Sequence, residues 1–166
     1  MGGEPKVRTV TRQDREAVRA LLGHLNDLQE DWRVFPPRSG FLEEVLEGYR
    51  RQSAAGDAVH VVAEVGGRIV GTAFAKEHVV SRFADARALE VSSVVVHPAH
   101  RRRGIARALL RAIGEEARRR GVGHLDLATF VQNEGALGFW ESVGFEPRYV
   151  QMVAEVPVLL DRLDAE

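Results

Sequence analysis

The chain contains no cysteine in its 166 residues. That absence excludes disulfides, thiolate metal ligands and a thiol nucleophile, and it fits a reducing, cytoplasmic setting. No apolar run approaches the ~20 residues needed to cross a bilayer. The opening MGGEPKVRTV has neither the basic start nor the apolar core of a signal peptide. Lys6 stands where a myristoylation motif needs Ser or Thr. An excess of one charge sign is also missing: the net charge of −1 gives no global pull toward nucleic acid or a membrane surface. Repeats, low-complexity tracts and linkers are absent too, so residues 1–166 read as one domain. A chain of this length buries roughly two-thirds of its unfolded surface.

What is present is organised around the stretch LEVSSVVVHPAHRRRGIARALL, residues 89–110. Its β-branched run (Val91, Val94, Val95, Val96) has the composition of a buried strand, and Pro98 stops it. Arg101, Arg102, Arg103, Gly104, Ile105 and Ala106 then lead into an apolar stripe of helical period: Ile105, Leu109, Ile113, Ala117. The first N–H groups of a helix lack intrahelical partners, and the helix dipole adds positive character there. Gly104 and small Ala106 permit a ligand to approach closely, and a phosphate or pyrophosphate is the expected guest. The competing reading is a solvated basic face. Against it, arginine before a helix N-terminus opposes the dipole, and a purely structural turn would favour Asp or Glu. From Arg101 to Arg120 there are eight arginines and two glutamates, but Arg118–Arg120 close a helix where cations belong.

The rest of the chain reads as alternating strands and helices. Lys6–Val10 is a first strand. Thr11 and Asp14 form a relaxed capping box for a helix over 12–30, with Val18, Leu21, Leu22, Leu25 and Leu28 on its apolar face. Pro36-Pro37 breaks the chain, and a second helix starts at a Ser39 cap and ends before Gly56. Residues 60–65 and 68–75 are strands joined by Gly66-Gly67, a strong hairpin signal. Residues 78–87 read as a loop or a frayed strand. After the central strand and helix come a strand over 124–130, a short helix capped by Asn133, a strand over 145–153, and a tail containing Pro157. The order β-α-α-β-β-β-α-β-α-β argues for a three-layer α/β sandwich around a mixed, partly antiparallel sheet.

Two segments carry a family resemblance. Arg101-x-x-Gly104-x-Ala106, after a strand ending Val-His-Pro, resembles the acetyl-CoA-binding segment of the GNAT N-acetyltransferase superfamily. Asn133, Ala136, Phe139, Gly144 and Phe145 fall on that family's second cofactor motif. The resemblance covers about residues 59–149 and implies the GNAT fold and acetyl-CoA as cosubstrate. It also implies direct transfer of an acetyl group to a primary amine of a small molecule or peptide. It places the diphosphate on the N–H groups from Arg102 to Ala106, supported by Arg101, and the pantetheine arm beside the backbone of Val94, Val95 and Val96. Asn133 is implied to contact that arm. A backbone N–H near Val95 or Val96 is implied to polarise the thioester. One departure is that Trp140 occupies the position where many members carry a tyrosine, and an indole N–H cannot act as an acid.

The acceptor amine must lose a proton before attack. Glu90 on the central strand is the first candidate base, with Glu77 and Asp126 behind it, and Tyr149 is the nearest phenol in sequence for the acid. His97 and His100 have the spacing of a metal pair but no third ligand nearby, so they read as turn residues and no metal is expected. The segments 31–39 and 78–87 are implied to shape the acceptor site. Asp27, Glu30 and Asp31 are either an attraction for a cation or a solvated helix end. The competing functions are a CoA-binding protein without turnover and a basic nucleic-acid module. The second lacks an overall basic charge and stacking aromatics beside its arginines. A homodimer is an open expectation.

Overall fold

Five strands form one sheet in chain order, β1-β2-β3-β4-β5. The computed structural model describes residues 4–81 and 84–165; Met1-Gly2 and the middle of the 78–87 segment lie outside them. The strands are β1 (Lys6–Thr9), β2 (Ala58–Val65), β3 (Arg68–Ser81), β4 (Ala84–Val96) and β5 (His124–Asp126). Pairing is antiparallel from β1 through β4, whereas β4 and β5 run parallel over three residue pairs, from Ala88↔His124 to Glu90↔Asp126. The glycines expected to turn the hairpin do so: Gly66 and Gly67 have φ of 57° and 76°, values that side-chain-bearing residues rarely adopt.

Helices cover both faces. On one side α1 (Arg15–Leu28) and α2 (Phe41–Ala55) bury Val18, Leu21, Leu22 and Leu46 against Val62 and Val95. On the other, α3 (Ile105–Arg119) buries Ile105, Leu109, Ile113 and Ala117 against Val61, Ala73, Leu89 and Val91. Each Val, Leu or Ile among them contributes about 1.5–3 kcal/mol when fully buried, so these stripes anchor the helices. The short helix α4 (Glu134–Ser142) adds Trp140 to the α3 side. The result is the three-layer mixed-sheet architecture expected from the element order.

The β3–β4 ladder slips at Ser92: Phe74 faces Ser93, yet Ala75 faces Val91. The surplus residue is a bulge, so Val91 and Ser93 fall on opposite faces despite their i, i+2 spacing. Residues Leu89, Val91, Val94 and Val96 consequently all pack toward α3, while Val95 packs toward α1.

Several expectations are corrected. The cap of α2 is Gly40, at φ 80°, rather than Ser39. The first helix ends at Leu28, and that residue is exposed. Residues 78–81 continue β3 and 84–87 begin β4, so the described part of 78–87 is strand. β5 stops at Asp126, because only its first three residues have β4 beside them. The strand expected over 145–153 does not form. Those residues are outside regular structure and are followed by a helix, α5 (Val156–Leu163). Apolar β-branched composition does not make a strand where no neighbouring strand accepts its hydrogen bonds.

Candidate functional site

The turn between β4 and α3 is where the sequence places its candidate anion site. Pro98–His100 form one 3-10 turn, and His97 Nδ1 accepts the Ala99 N–H, so this histidine does hold a turn. Arg102 then adopts φ 62° and Gly104 φ 78°, with α3 beginning at Ile105. A non-glycine residue in the left-handed region costs of order 1 kcal/mol and is retained only where its surroundings require it. Left-handed residues alternating with right-handed ones turn successive N–H groups inward as an anion nest. The N–H groups from Arg102 to Arg107 have no backbone acceptor among the described residues, and residues 101–104 are exposed. A Cβ on Gly104 would meet nothing within 4 Å. Glycine is therefore needed there for its backbone angle rather than for space, and the surface beside it is open.

A residue that pattern reading missed holds this turn in place. A Cβ on Gly71 of β3 would lie 3.1 Å from Ile105 Cγ2 and 3.1 Å from the Val95 carbonyl oxygen. Glycine at this point lets α3 press onto the sheet and fixes the helix start over the end of β4. The signal was available, since an isolated glycine within a strand marks a close approach.

Past Glu90 the two parallel strands part, leaving one edge of β4 open toward β5. His97 N–H donates to the Val70 carbonyl at 2.8 Å, and Val95 lies two residues earlier opposite Thr72. Alternation then turns the N–H and C=O of Val95 to β3, and those of Val94 and Val96 into the cleft. This divides the Val94–Val96 set: Val95 has no backbone group to offer a ligand. Arg101 Nε donates to the Val96 carbonyl at 3.2 Å, so this arginine ties the turn to the strand end. The open groups are the Val94 N–H and C=O and the Val96 N–H.

Glu90 stands where the strands diverge. Its carboxylate lies 3.4 Å from Lys76 Nζ and accepts from Ser92 Oγ at 3.3 Å. On the same sheet face His78 Nε2 sits 2.9 Å from both Asp126 carboxylate oxygens. Lys76, His78, Glu90 and Asp126 thus make a polar floor beneath the cleft. Glu77 lies on the opposite face, paired with Arg87, and is removed from the base candidates. Beside the floor, Tyr49 stacks on Phe74 with ring centres 3.6 Å apart and donates to Ser93 Oγ at 3.2 Å. Burial pushes the Tyr49 phenol above its ordinary pKa. Tyr149, by contrast, is 83% exposed. It rides on a segment that lies wholly at the surface, and among the described residues no hydrogen bond fixes its hydroxyl.

Asn133 Oδ1 accepts the Ala136 N–H at 3.2 Å, capping α4 and leaving its amide nitrogen to donate. Phe139 lies under the Arg107 guanidinium, 6.0 Å from ring centre to Cζ, which joins α4 to the first turn of α3. Trp140 is half-buried between Phe139 and Phe145, with ring centres at 5.1 and 5.3 Å. Among the described residues, no three His, Cys, Asp or Glu side chains gather as a metal site, and no helix is long and apolar enough to cross a membrane.

Comparison with known proteins bears on the family and the fold. Residues 24–145 match the Acetyltransferase (GNAT) family. The chain is 34% identical over 89 residues to an uncharacterized N-acetyltransferase of Methanocaldococcus jannaschii, covering 54% of this chain and 39% of that protein. It therefore spans well under half the length of that relative. Among solved structures, a Trypanosoma brucei acetyltransferase superposes with TM-score 0.65 at 27% identity, covering 92% of this chain and 100% of the other. An aminoglycoside N-acetyltransferase in complex with CoA superposes with TM-score 0.73 at 19% identity, covering 94% and 97%.

Proposed function

Because the chain belongs to the GNAT acetyltransferase family, we propose that it transfers an acetyl group from acetyl-CoA directly to a primary amine of a small molecule or peptide. The observation that carries this reading is the row of unpaired N–H groups from Arg102 to Arg107 at the left-handed Arg102–Gly104 turn. Such a row suits a diphosphate, which brings several acceptor oxygens and no donors. Ile105 and Ala106 contribute backbone only, while Arg102 and Arg103 add positive charge at the mouth. Val94 and Val96 offer strand-like hydrogen bonds to an extended amide arm, and the Asn133 amide nitrogen a further donor.

Acetyl-CoA supplies the thioester whose carbonyl carbon the amine attacks. Glu90 takes the ammonium proton, directly or through water, before the new C–N bond forms. The Val96 N–H, not that of Val95, faces the side on which the developing oxyanion is stabilised. The C–S bond then breaks and the thiolate collects a proton. Trp140 is not an acid and Tyr149 is exposed on a segment outside regular structure, so that proton comes from solvent or from the floor beneath the cleft. We read residues 1–166 as one such domain, cytoplasmic and free of nucleic acid.

A second reading, a CoA-binding protein without turnover, is favoured by the indole at position 140. The two separate in one experiment. Calorimetric binding of CoA, together with turnover across a broad amine panel, should give both affinity and rate. Binding with no acceptor would support the second reading. Gly104→Glu should abolish CoA binding with the fold retained, and unchanged affinity would remove the phosphate assignment.

A further inference from the structure

His78 and Asp126 are hydrogen-bonded, although they do not stand on neighbouring strands. His78 lies on β3 opposite Ala88, and Asp126 lies on β5 opposite Glu90, with β4 between them. The imidazole can reach across β4 because Ala88, which is fully buried, has too short a side chain to stop it. It passes from the row of Ala88 to the row of Glu90 and so comes to rest alongside the Glu90 side chain. Nε2 sits 2.9 Å from both carboxylate oxygens of Asp126. A carboxylate only accepts, so Nε2 carries the hydrogen and the neutral ring keeps its lone pair on Nδ1. Nδ1 has no hydrogen-bond partner among the described residues, and 30% of the side chain is open to solvent. The other titratable or charged groups at this end of the face are Lys76 on β3, Glu90 on β4, His124 on β5 and Tyr49 on α2. Lys76 pairs with Glu90 and Tyr49 with Ser93, which leaves Asp126 as the partner of the ring.

We propose that His78, oriented by Asp126, is a proton relay: it takes from Glu90, through a water, the proton that Glu90 removes from the acceptor ammonium, and releases it to solvent. The relay rests on the acetyl-transfer reading given above. The N–H bond of the ammonium breaks, and its electron pair stays on nitrogen for the new C–N bond. The proton passes from the Glu90 carboxyl to Nδ1, and the imidazolium beside Asp126 then gives it up to water. Both groups return to their starting forms. A carboxylate is a weak base for an amine, and a proton carrier works best when its range lies near the working pH. Among ordinary side chains that range belongs to imidazole. Asp126 has two effects here: it fixes the tautomer that leaves Nδ1 open, and it stabilises the ring when it is charged. A clamp between β3 and β5 would need only the first hydrogen bond.

A glutamine amide nitrogen stands where Nε2 does, so His78→Gln still donates to Asp126 but has no basic nitrogen. With acetyl-CoA and the fastest amine of a broad panel, this substitution should lower kcat by about 10²-fold. The KM for acetyl-CoA and the melting midpoint should not change. The rise of kcat with pH between about 5 and 8, which a titrating imidazole gives, should disappear. In Asp126→Asn the amide can donate to Nε2 and draw the ring hydrogen to Nδ1, so a similar loss is expected. Histidine nitrogen NMR of the full chain reads the tautomer without any turnover: the His78 hydrogen should lie on Nε2 in the native chain and on Nδ1 in Asp126→Asn. If the native chain turns over and His78→Gln keeps its rate and pH profile, the relay is overturned while acetyl transfer stands. A hydrogen on Nδ1 in the native chain, or a rate loss that comes only with a lowered melting midpoint, overturns it as well. If the native chain acetylates no amine, acetyl transfer falls first and takes the relay with it.

Discussion

Glu90 is half-exposed and held by a lysine and a serine hydroxyl rather than sealed in the core, which is the setting of a group that exchanges protons with solvent. Glu90→Gln keeps the shape and removes the basic lone pair. It should lower kcat by about 10²-fold or more while leaving CoA affinity unchanged; steady-state kinetics beside calorimetry reads both, and a wild-type rate removes Glu90 as the base. The strand, turn and helix that carry Glu90 and Gly104 were legible in sequence, because their neighbours spell those elements. Tyr149 is the converse case: it stands 83% exposed, and proximity along the chain says nothing about where a phenol on such a segment points. Tyr49 went unnoticed as a polar residue because it looks like one more apolar position on α2.

Between elements, contacts that sequence periodicity cannot display decide the geometry. Gly71→Ala would set a methyl 3.1 Å from a backbone carbonyl and a buried isoleucine, so α3 must lift from the sheet. A loss of about 1–3 kcal/mol in urea denaturation is expected, with weaker CoA binding. The layer under α2 has its own pH signature. Burial lowers the His60 pKa to about 4, and the neutral ring hydrogen-bonds Thr72 Oγ1 at 3.0 Å. Unfolded, the same ring titrates near 6.5. The unfolded state therefore binds the extra proton between those values, and stability present above pH ~6.5 falls as pH drops toward 4, by up to ~1.4 kcal/mol per pH unit. Denaturation midpoints at stepped pH should show that slope, and His60→Gln should flatten it. Asp14 acts in a separate window. The bidentate Arg8 guanidinium holds its carboxyl well below the usual carboxylate range, so its contribution persists until the medium is more acid than an ordinary aspartate pKa. The capping box that places it, with Thr11 N–H on Asp14 Oδ2 at 2.7 Å, was legible in four residues of sequence.

For the molecule as a whole, layer order and the two faces of the sheet followed from hydrophobic period. Ile105, Leu109, Ile113 and Ala117 are all buried as their spacing requires. The ends of the sheet did not follow, because 124–130 and 145–153 carry strand-like residues and whether they pair depends on what stands alongside. Thus β5 shrank to three residues, and the last expected strand became an arm. That three-residue seam has a consequence for how the protein breathes. The wall beyond it has no further backbone ladder to the body and is held through side chains such as Leu127, Trp140 and the Arg107–Phe139 pair, so its amides should open at a lower free energy than those of β2 and β3 and exchange with deuterium first. A ligand spanning both walls would act there as a suture. Added CoA should slow exchange in 124–126 more than in the core strands, so the weakest join in the fold is also the one most changed by occupancy.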